Sequence, residues 1–93
     1  MEPTDRHRLL VAHSAGRSLA ESLPEAVASA ALEFMSGDLL LAPRRVGKPL
    51  QRELTGMWSA RRGGYRILYE IDDDEGTVRV VHIAHRGQAY RRR

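Results

Sequence analysis

The chain has 93 residues, of which 42% are hydrophobic and 29% charged, and it has no cysteine. That is the balance of one small globular domain, and it excludes disulfide staples, thiolate metal sites and cysteine nucleophiles. The formal charge is +3, divided unevenly: residues 1–43 hold three basic and six acidic side chains, and residues 44–93 hold twelve basic and six acidic.

In chain order, residues 7–13 (HRLLVAH) form a short apolar stretch suited to a first strand. Ser14 then offers a helix N-cap, followed by Ala15, Leu19 and Leu23 at fourfold spacing. Pro24 fits the first turn of a second helix, where its missing N–H does no harm. That helix is predicted to present Leu23, Val27, Ala30 and Phe34 as its apolar stripe, to fray at Gly37 and to end at Pro43. The small residues Ala26, Ala28, Ala30 and Ala31 suit two helices packed as a close antiparallel hairpin. From Pro43 to Gly56 runs a polar, basic connection with no predicted element. Three strands follow at 57–62, 65–71 and 77–84, joined by the two-residue turn Gly63-Gly64 and the acidic turn DDDEG at 72–76. The tail, 87–93, reads as irregular.

This order predicts a single domain over residues 1–93 of the α+β class. It is a two-layer sandwich, with an N-terminal strand and a helical hairpin packed on a small, mainly antiparallel twisted sheet. The position of the first strand within the sheet is left open. No apolar run approaches the ~20 residues of a membrane span, and the N-terminus has neither the apolar stretch nor the cleavage site of a secretory signal. A cytoplasmic protein without membrane contact is expected.

Fourteen of the fifteen basic residues are arginine, the exception being Lys48. A guanidinium grips phosphate bidentately and stays charged at any relevant pH. Charge alone divides evenly between a phosphate-binding surface and a solvated face rich in arginine through coding bias. The hairpin register adds geometry. A two-residue turn at Gly63-Gly64 puts Arg62 opposite Tyr65, Arg61 opposite Arg66 and Ser59 opposite Leu68. The apolar row Tyr65, Ile67, Tyr69, Ile71 must lie under the helices, so Arg66 faces outward together with Arg61. Like charges directly opposite are destabilising by up to ~1 kcal/mol, unless a carboxylate such as Glu53 or Glu70 pairs with Arg66.

The acidic turn returns the last strand to the level of Arg66, so His85, Arg86 and the tail with Tyr90 are expected to converge there. Lys48, Arg44, Arg45 and Arg52 on the long connection would close the rim. His82, between Val81 and Ile83, reads as a packed strand residue. With His85 it makes a poor metal pair, because the two point to opposite faces. Trp58 reads as core.

The run Gly47-Lys48-Pro49-Leu50, then Leu54-Thr55-Gly56-Met57-Trp58-Ser59, then Arg61-Arg62-Gly63-Gly64-Tyr65-Arg66-Ile67-Leu68-Tyr69, resembles the RelE/ParE superfamily of bacterial toxins, RelE-like branch. So does the ending His82-Ile83-Ala84-His85-Arg86 with Tyr90. The resemblance spans about residues 8 to 91. It implies the toxin of a type II toxin–antitoxin pair, with two helices on a twisted sheet. RelE-like members enter the ribosomal A site and cut mRNA by attack of a ribose 2′-hydroxyl on the adjacent phosphate, with no metal or cofactor.

Carried over by position, Arg66 matches the strand arginine of the active face, Arg86 the arginine after the last strand, Tyr90 the C-terminal tyrosine and Arg61 a further basic position. Well-studied members carry two lysines where Met57 and Ser59 stand here, so the general base is left unassigned. His85 is the candidate proton donor to the leaving 5′-oxygen, and Tyr90 a base-stacking contact. Arg61, Lys48, Arg44, Arg45 and Arg52 are candidate RNA contacts. The implied partners are a cognate antitoxin, which would bring an extended acidic segment into a hetero-oligomer, and the ribosome with its mRNA. Two other functions share the fold: a ParE-like DNA gyrase inhibitor without chemistry of its own, and a decayed toxin that only binds its antitoxin.

Overall fold

The computed structural model describes residues 6–85. In order the elements are β1 (Arg8–Val11), α1 (His13–Arg17), a π-helical turn (Ser18–Ser22), α2 (Glu25–Ser36), α3 (Asp38–Leu41) and β2 (Lys48–Pro49), then a 3₁₀ turn (Arg52–Leu54), β3 (Trp58–Arg62), β4 (Tyr65–Asp72) and β5 (Thr77–His85). The strands form one sheet in the order β1-β5-β4-β3-β2. Among the described residues only the β1–β5 pair is parallel. Helices cover one face of this sheet, which is the expected α+β two-layer arrangement. No helix among the described residues is long and apolar enough to cross a membrane.

The β3–β4 hairpin has the register that its turn dictates: Arg62 opposite Tyr65, Arg61 opposite Arg66 and Ser59 opposite Leu68. Gly63 takes φ +55°, the left-handed conformation that tight two-residue hairpins demand and that glycine adopts without a steric penalty. The acidic turn closes more loosely, with the Glu75 N–H donating to Asp72 Oδ1 at 3.0 Å. The first strand lies at the sheet edge beside β5. It is tied there by Arg8 N–H to the Gly76 carbonyl and Ala12 N–H to the Val80 carbonyl, both at 2.8 Å. A parallel neighbour needs a long crossover, and the helices supply it.

The helical region departs from expectation in several places. Ser14 is not the N-cap: Ala12 is, and the Ser14 hydroxyl instead donates to the Val81 carbonyl at 3.0 Å, fastening α1 to the edge of β5. Pro24 stands at the N-cap of α2 rather than inside its first turn. The buried stripe of α2 is Ala31, Phe34 and Met35, with Val27 and Ala28 packed against the core. Ala30 is exposed, because a 3.6-residue period continued from Val27 falls on Ala31 and Phe34 together. Helical structure also resumes after Gly37 as α3, which buries Leu39 and Leu40. The connection expected to be without structure contains β2, whose Lys48 and Pro49 lie opposite Ser59 and Trp58.

Tyr69, Met35, Leu39, Ile67, Ile83, Val78 and Val80 are the largest fully buried side chains. Tyr69 is also where the connection is fixed. Its hydroxyl donates to the Pro43 carbonyl at 2.6 Å, and its ring stacks near Trp58, with centroids 6.5 Å apart and planes at 26°. Gly47 passes directly over it. A Cβ on Gly47 would lie 2.7 Å from the Ser59 carbonyl and closer still to the Tyr69 hydroxyl, so only glycine lets the chain cross here.

Burial pushes the Tyr69 phenol up to about 12, with the Arg62 charge partly opposing. The Tyr65 phenol is also raised by burial. Replacing Tyr69 with Phe leaves the Pro43 carbonyl unpaired and should cost about 1–3 kcal/mol of stability. The neutral phenol is the form the fold favours. Its contribution is therefore complete below the ordinary value of 10.0 and is lost as pH rises towards about 12. Urea denaturation across that window should show a steeper alkaline loss for wild type than for Tyr69→Phe, which retains only the Tyr65 effect.

Candidate nucleic-acid interface

Alternation along β4 separates the two faces of the sheet. Tyr65, Ile67 and Tyr69 are buried under the helices with Ile71 half-buried beside them, while Arg66, Leu68, Glu70 and Asp72 take the opposite side. Register extends this open face across the neighbouring strands. Arg61 is opposite Arg66, and the row through Leu68 continues to Ser59 on β3 and Lys48 on β2. The connection folds over this corner and forms a cleft of about 680 Å³ lined by Arg45, Val46, Gly47, Lys48, Leu50, Ser59, Arg61, Arg62 and Arg66. Five of these side chains are basic and none is acidic.

Arg61 and Arg66 are exposed, and neither has an ion-pair partner among the described residues, Glu53 and Glu70 included. Two arginines therefore stand opposite each other, facing solvent, one residue pair in from the Gly63-Gly64 turn of the β3–β4 hairpin. Their geometry suits a phosphate, which accepts several charge-assisted N–H bonds at once. Arg62 lies on the other side of β3. Its guanidinium sits 4.5 Å from the Phe34 ring centroid, with Nη1 donating to the Arg61 carbonyl at 2.8 Å.

Of the four cations expected at the rim, the structure places Arg45 and Lys48 in the cleft and not the other two. Arg44 is engaged elsewhere. It donates to Asp73 through both guanidinium nitrogens at 3.2 and 2.7 Å and lies 6.0 Å from the Trp58 ring centroid. The Arg44 hydrogen bond holds the Asp73 carboxyl below its usual range, and the same bond raises Arg44. His7 approaches the same carboxylate at 3.7 Å. Arg44 thus ties the connection to the acidic turn. Arg52 is carried away on the 3₁₀ turn at φ +60° and does not line the cleft.

The expected convergence of His85 with Arg66 does not occur. Counting back from the acidic turn in strict alternation puts His85 on the open face and His82 in the core. A bulge reverses both. The β4–β5 register shifts between Leu68 and Tyr69, so that Tyr69 pairs with Val80 but Leu68 pairs with His82. Val81 is the extra residue, and a one-residue slip turns every later side chain to the other face. His82 is consequently exposed on the open face, and Ala84 lies opposite Arg66. His85 falls opposite Tyr65 on the helix side, with its Nε2 3.6 Å from where a Gly64 Cβ would stand. The sequence carries a mark here, the doubled apolar pair Val80-Val81, although Ile83-Ala84 in the same strand is a second such pair. Arg86 and Tyr90 lie outside the described residues.

The far end of the same sheet has the opposite charge. A second cleft of about 550 Å³ is lined by Thr55, Gly56, Met57, Glu70, Ile71, Asp72, Asp73 and Asp74. Among the described residues no group of histidines and carboxylates has the arrangement to hold a metal ion.

With this geometry in place, comparison with known proteins is specific. Residues 12–90 match the family described as the ParE toxin of type II toxin–antitoxin system, parDE. The chain is 46% identical over 85 residues to Toxin RelE of Mycobacterium tuberculosis, covering 91% of this chain and 87% of that protein. It is 54% identical over 70 residues to Toxin RelG of the same organism, covering 75% and 80%. The fold matches a chain in the crystal structure of the M. tuberculosis RelBE2 toxin–antitoxin complex with a TM-score of 0.84 at 47% identity, over 87% of this chain and 99% of that one. The isolated E. coli RelE toxin shares the fold, with a TM-score of 0.70 at 18% identity over 85% and 83% of the two chains. This chain belongs to the ParE toxin family of type II toxin–antitoxin systems and is a RelE-like toxin.

Proposed function

We propose that the toxin is a ribosome-dependent mRNA endoribonuclease that blocks translation, with the open face of the sheet as its RNA-binding surface. The observation that carries this reading is the opposed, unpaired Arg61–Arg66 pair beside a cleft lined by five basic side chains. The similarity to proteins named RelE and RelG supports it. In 2′-hydroxyl attack, negative charge grows on the equatorial oxygens of the phosphorane, and cations already fixed in place stabilise it without reorganisation. Arg66 is held on the central strand β4 and is assigned that role. Arg61, Arg45 and Lys48 hold the flanking backbone. Lys48 lies opposite Ser59, and so returns an amine from β2 to a neighbourhood where β3 carries none. Arg86 and Tyr90 belong to the same site on the resemblance of the C-terminal motif.

A cognate antitoxin is the second partner in this reading, as in the toxin–antitoxin complexes formed by the structural relatives. An acidic segment from it would neutralise the face and relieve the arginine pair. Inhibition of DNA gyrase is the competing reading, because the matching family carries the ParE name.

Mapping new 5′ ends in mRNA from polysomes of expressing cells, alongside a supercoiling assay with purified gyrase, separates the two. New ends within codons support the nuclease, and loss of supercoiling without new ends replaces it with the gyrase reading. Arg66→Ala should lower cleavage on programmed ribosomes by about two to four orders of magnitude with the fold intact. Arg61→Thr should do two opposite things. It should raise stability by up to about 1 kcal/mol by removing the like-charge pair. It should also weaken binding to single-stranded RNA and reduce the slope of log K against log salt by about 0.7. Denaturation and a salt titration measure the two effects separately.

A further inference from the structure

The β5 bulge leaves a titratable side chain on the cationic face, in the one place where strict alternation would have buried it. His82 is exposed and opposite Leu68, an uncharged neighbour. Around it on the same face, β4 presents Arg66 and Glu70 on the two diagonals. Its own strand presents Ala84 and Arg79, β3 presents Ser59 and Arg61, and β2 presents Lys48. On the edge side lies α1, whose Ser14 bonds the Val81 carbonyl, with His13 next to it. A diagonal neighbour in an antiparallel pair is about 7–8 Å away, within reach of a long side chain. A phosphate held by Arg66 is therefore brought to the neighbourhood of the imidazole.

The other groups of this face fit proton transfer less well. Arginine stays protonated and cannot accept a proton. Glu70 is four residues from Arg66 on one strand, about 14 Å along it, with Arg79 opposite. Lys48 is two strands away, about 10 Å, and an amine must lose its charge before it can act as a base. Imidazole is the side chain that exchanges a proton between about pH 5 and 8.

We infer that His82, and not His85, is the proton acceptor of this face, an assignment that rests on the nuclease reading above. The neutral imidazole takes the proton of the attacking ribose 2′-hydroxyl. The freed electron pair forms the 2′-oxygen–phosphorus bond, the phosphorus–5′-oxygen bond breaks, and the leaving 5′-oxygen takes a proton from water. The products are a 2′,3′-cyclic phosphate and a 5′-hydroxyl.

Single-turnover cleavage of mRNA on programmed ribosomes, followed from about pH 5.5 to 8.5, tests this with wild type, His82→Gln, His85→Gln and Arg66→Ala. Wild type should rise with pH to a plateau as the base is deprotonated. His82→Gln should lower the plateau by about 10²- to 10⁴-fold and abolish that acidic limb, with ribosome binding and the urea midpoint unchanged. His85→Gln should keep the limb. A His82→Gln protein that keeps either the wild-type rate or the acidic limb overturns the assignment, even where Arg66→Ala is inactive and the nuclease reading stands. Absence of cleavage by wild type removes the nuclease reading and this inference with it.

Discussion

The sidedness of the sheet depends on the burial of Tyr69. It lies on β4, the strand at the centre of the five, with no solvent exposure. A buried phenol must find an acceptor or lose a hydrogen bond it would have had in water, and the acceptor here is the Pro43 carbonyl. That bond stops the chain as it leaves the helices. The glycine crossing at Gly47 then lays the connection flat against β3, and β2 forms because Lys48 and Pro49 arrive beside Ser59 and Trp58. The cleft is thus built from a tyrosine on one face of the sheet, although Lys48, Arg61 and Arg66 are on the other.

The opposed arginines set stability against function. A domain of this size is stable by only about 5–15 kcal/mol, and a like-charge pair costs up to ~1 kcal/mol of it. An exposed carboxylate placed opposite would remove the cost, and the chain has acidic residues to use. It places them at the other end of the sheet, at Glu70, Asp72, Asp73 and Asp74. An anion bound between Arg61 and Arg66 recovers the repulsion as binding energy, which is why the face suits ligands that carry phosphates or carboxylates.

How much of this was legible in the sequence follows from how local each cause is. The Gly63-Gly64 turn and the row Tyr65, Ile67, Tyr69, Ile71 are short-range signals, and they place Arg61 and Arg66 correctly on the open face. The position of β1 beside β5 was not legible, because a parallel pairing 69 residues apart (Arg8 with Thr77) leaves no mark near either strand. The engagement of Arg44 by Asp73 is likewise a contact between segments 29 residues apart. The bulge is the instructive case. Val80-Val81 stands at it, but Ile83-Ala84 is a second doubled apolar pair in the same strand, so alternation does not say where the shift falls, and a shift of one residue exchanges the faces of His82 and His85. The stripe of α2 takes Ala31 rather than Ala30 for the analogous reason on a helix, where one residue is 100° of rotation.

Arg44 and Arg66 show why residue type alone did not separate structural from functional cations. Both are exposed arginines in the basic half of the chain. Arg44 sits on a connection and stacks by Trp58 with two bonds to Asp73, so its charge is already answered within the fold. Arg66 sits on a strand whose backbone is held on both sides by β3 and β5, and its charge is not answered. Rigidity without a partner is costly for a structural residue and useful for one that meets an anion, since the site then needs no rearrangement when charge develops. His82 shares those two properties. It follows the bulge on a stretch of β5 paired with β4 on one side and bonded by Ser14 of α1 at Val81 on the other, is directed to solvent, and is placed within one diagonal of Arg66.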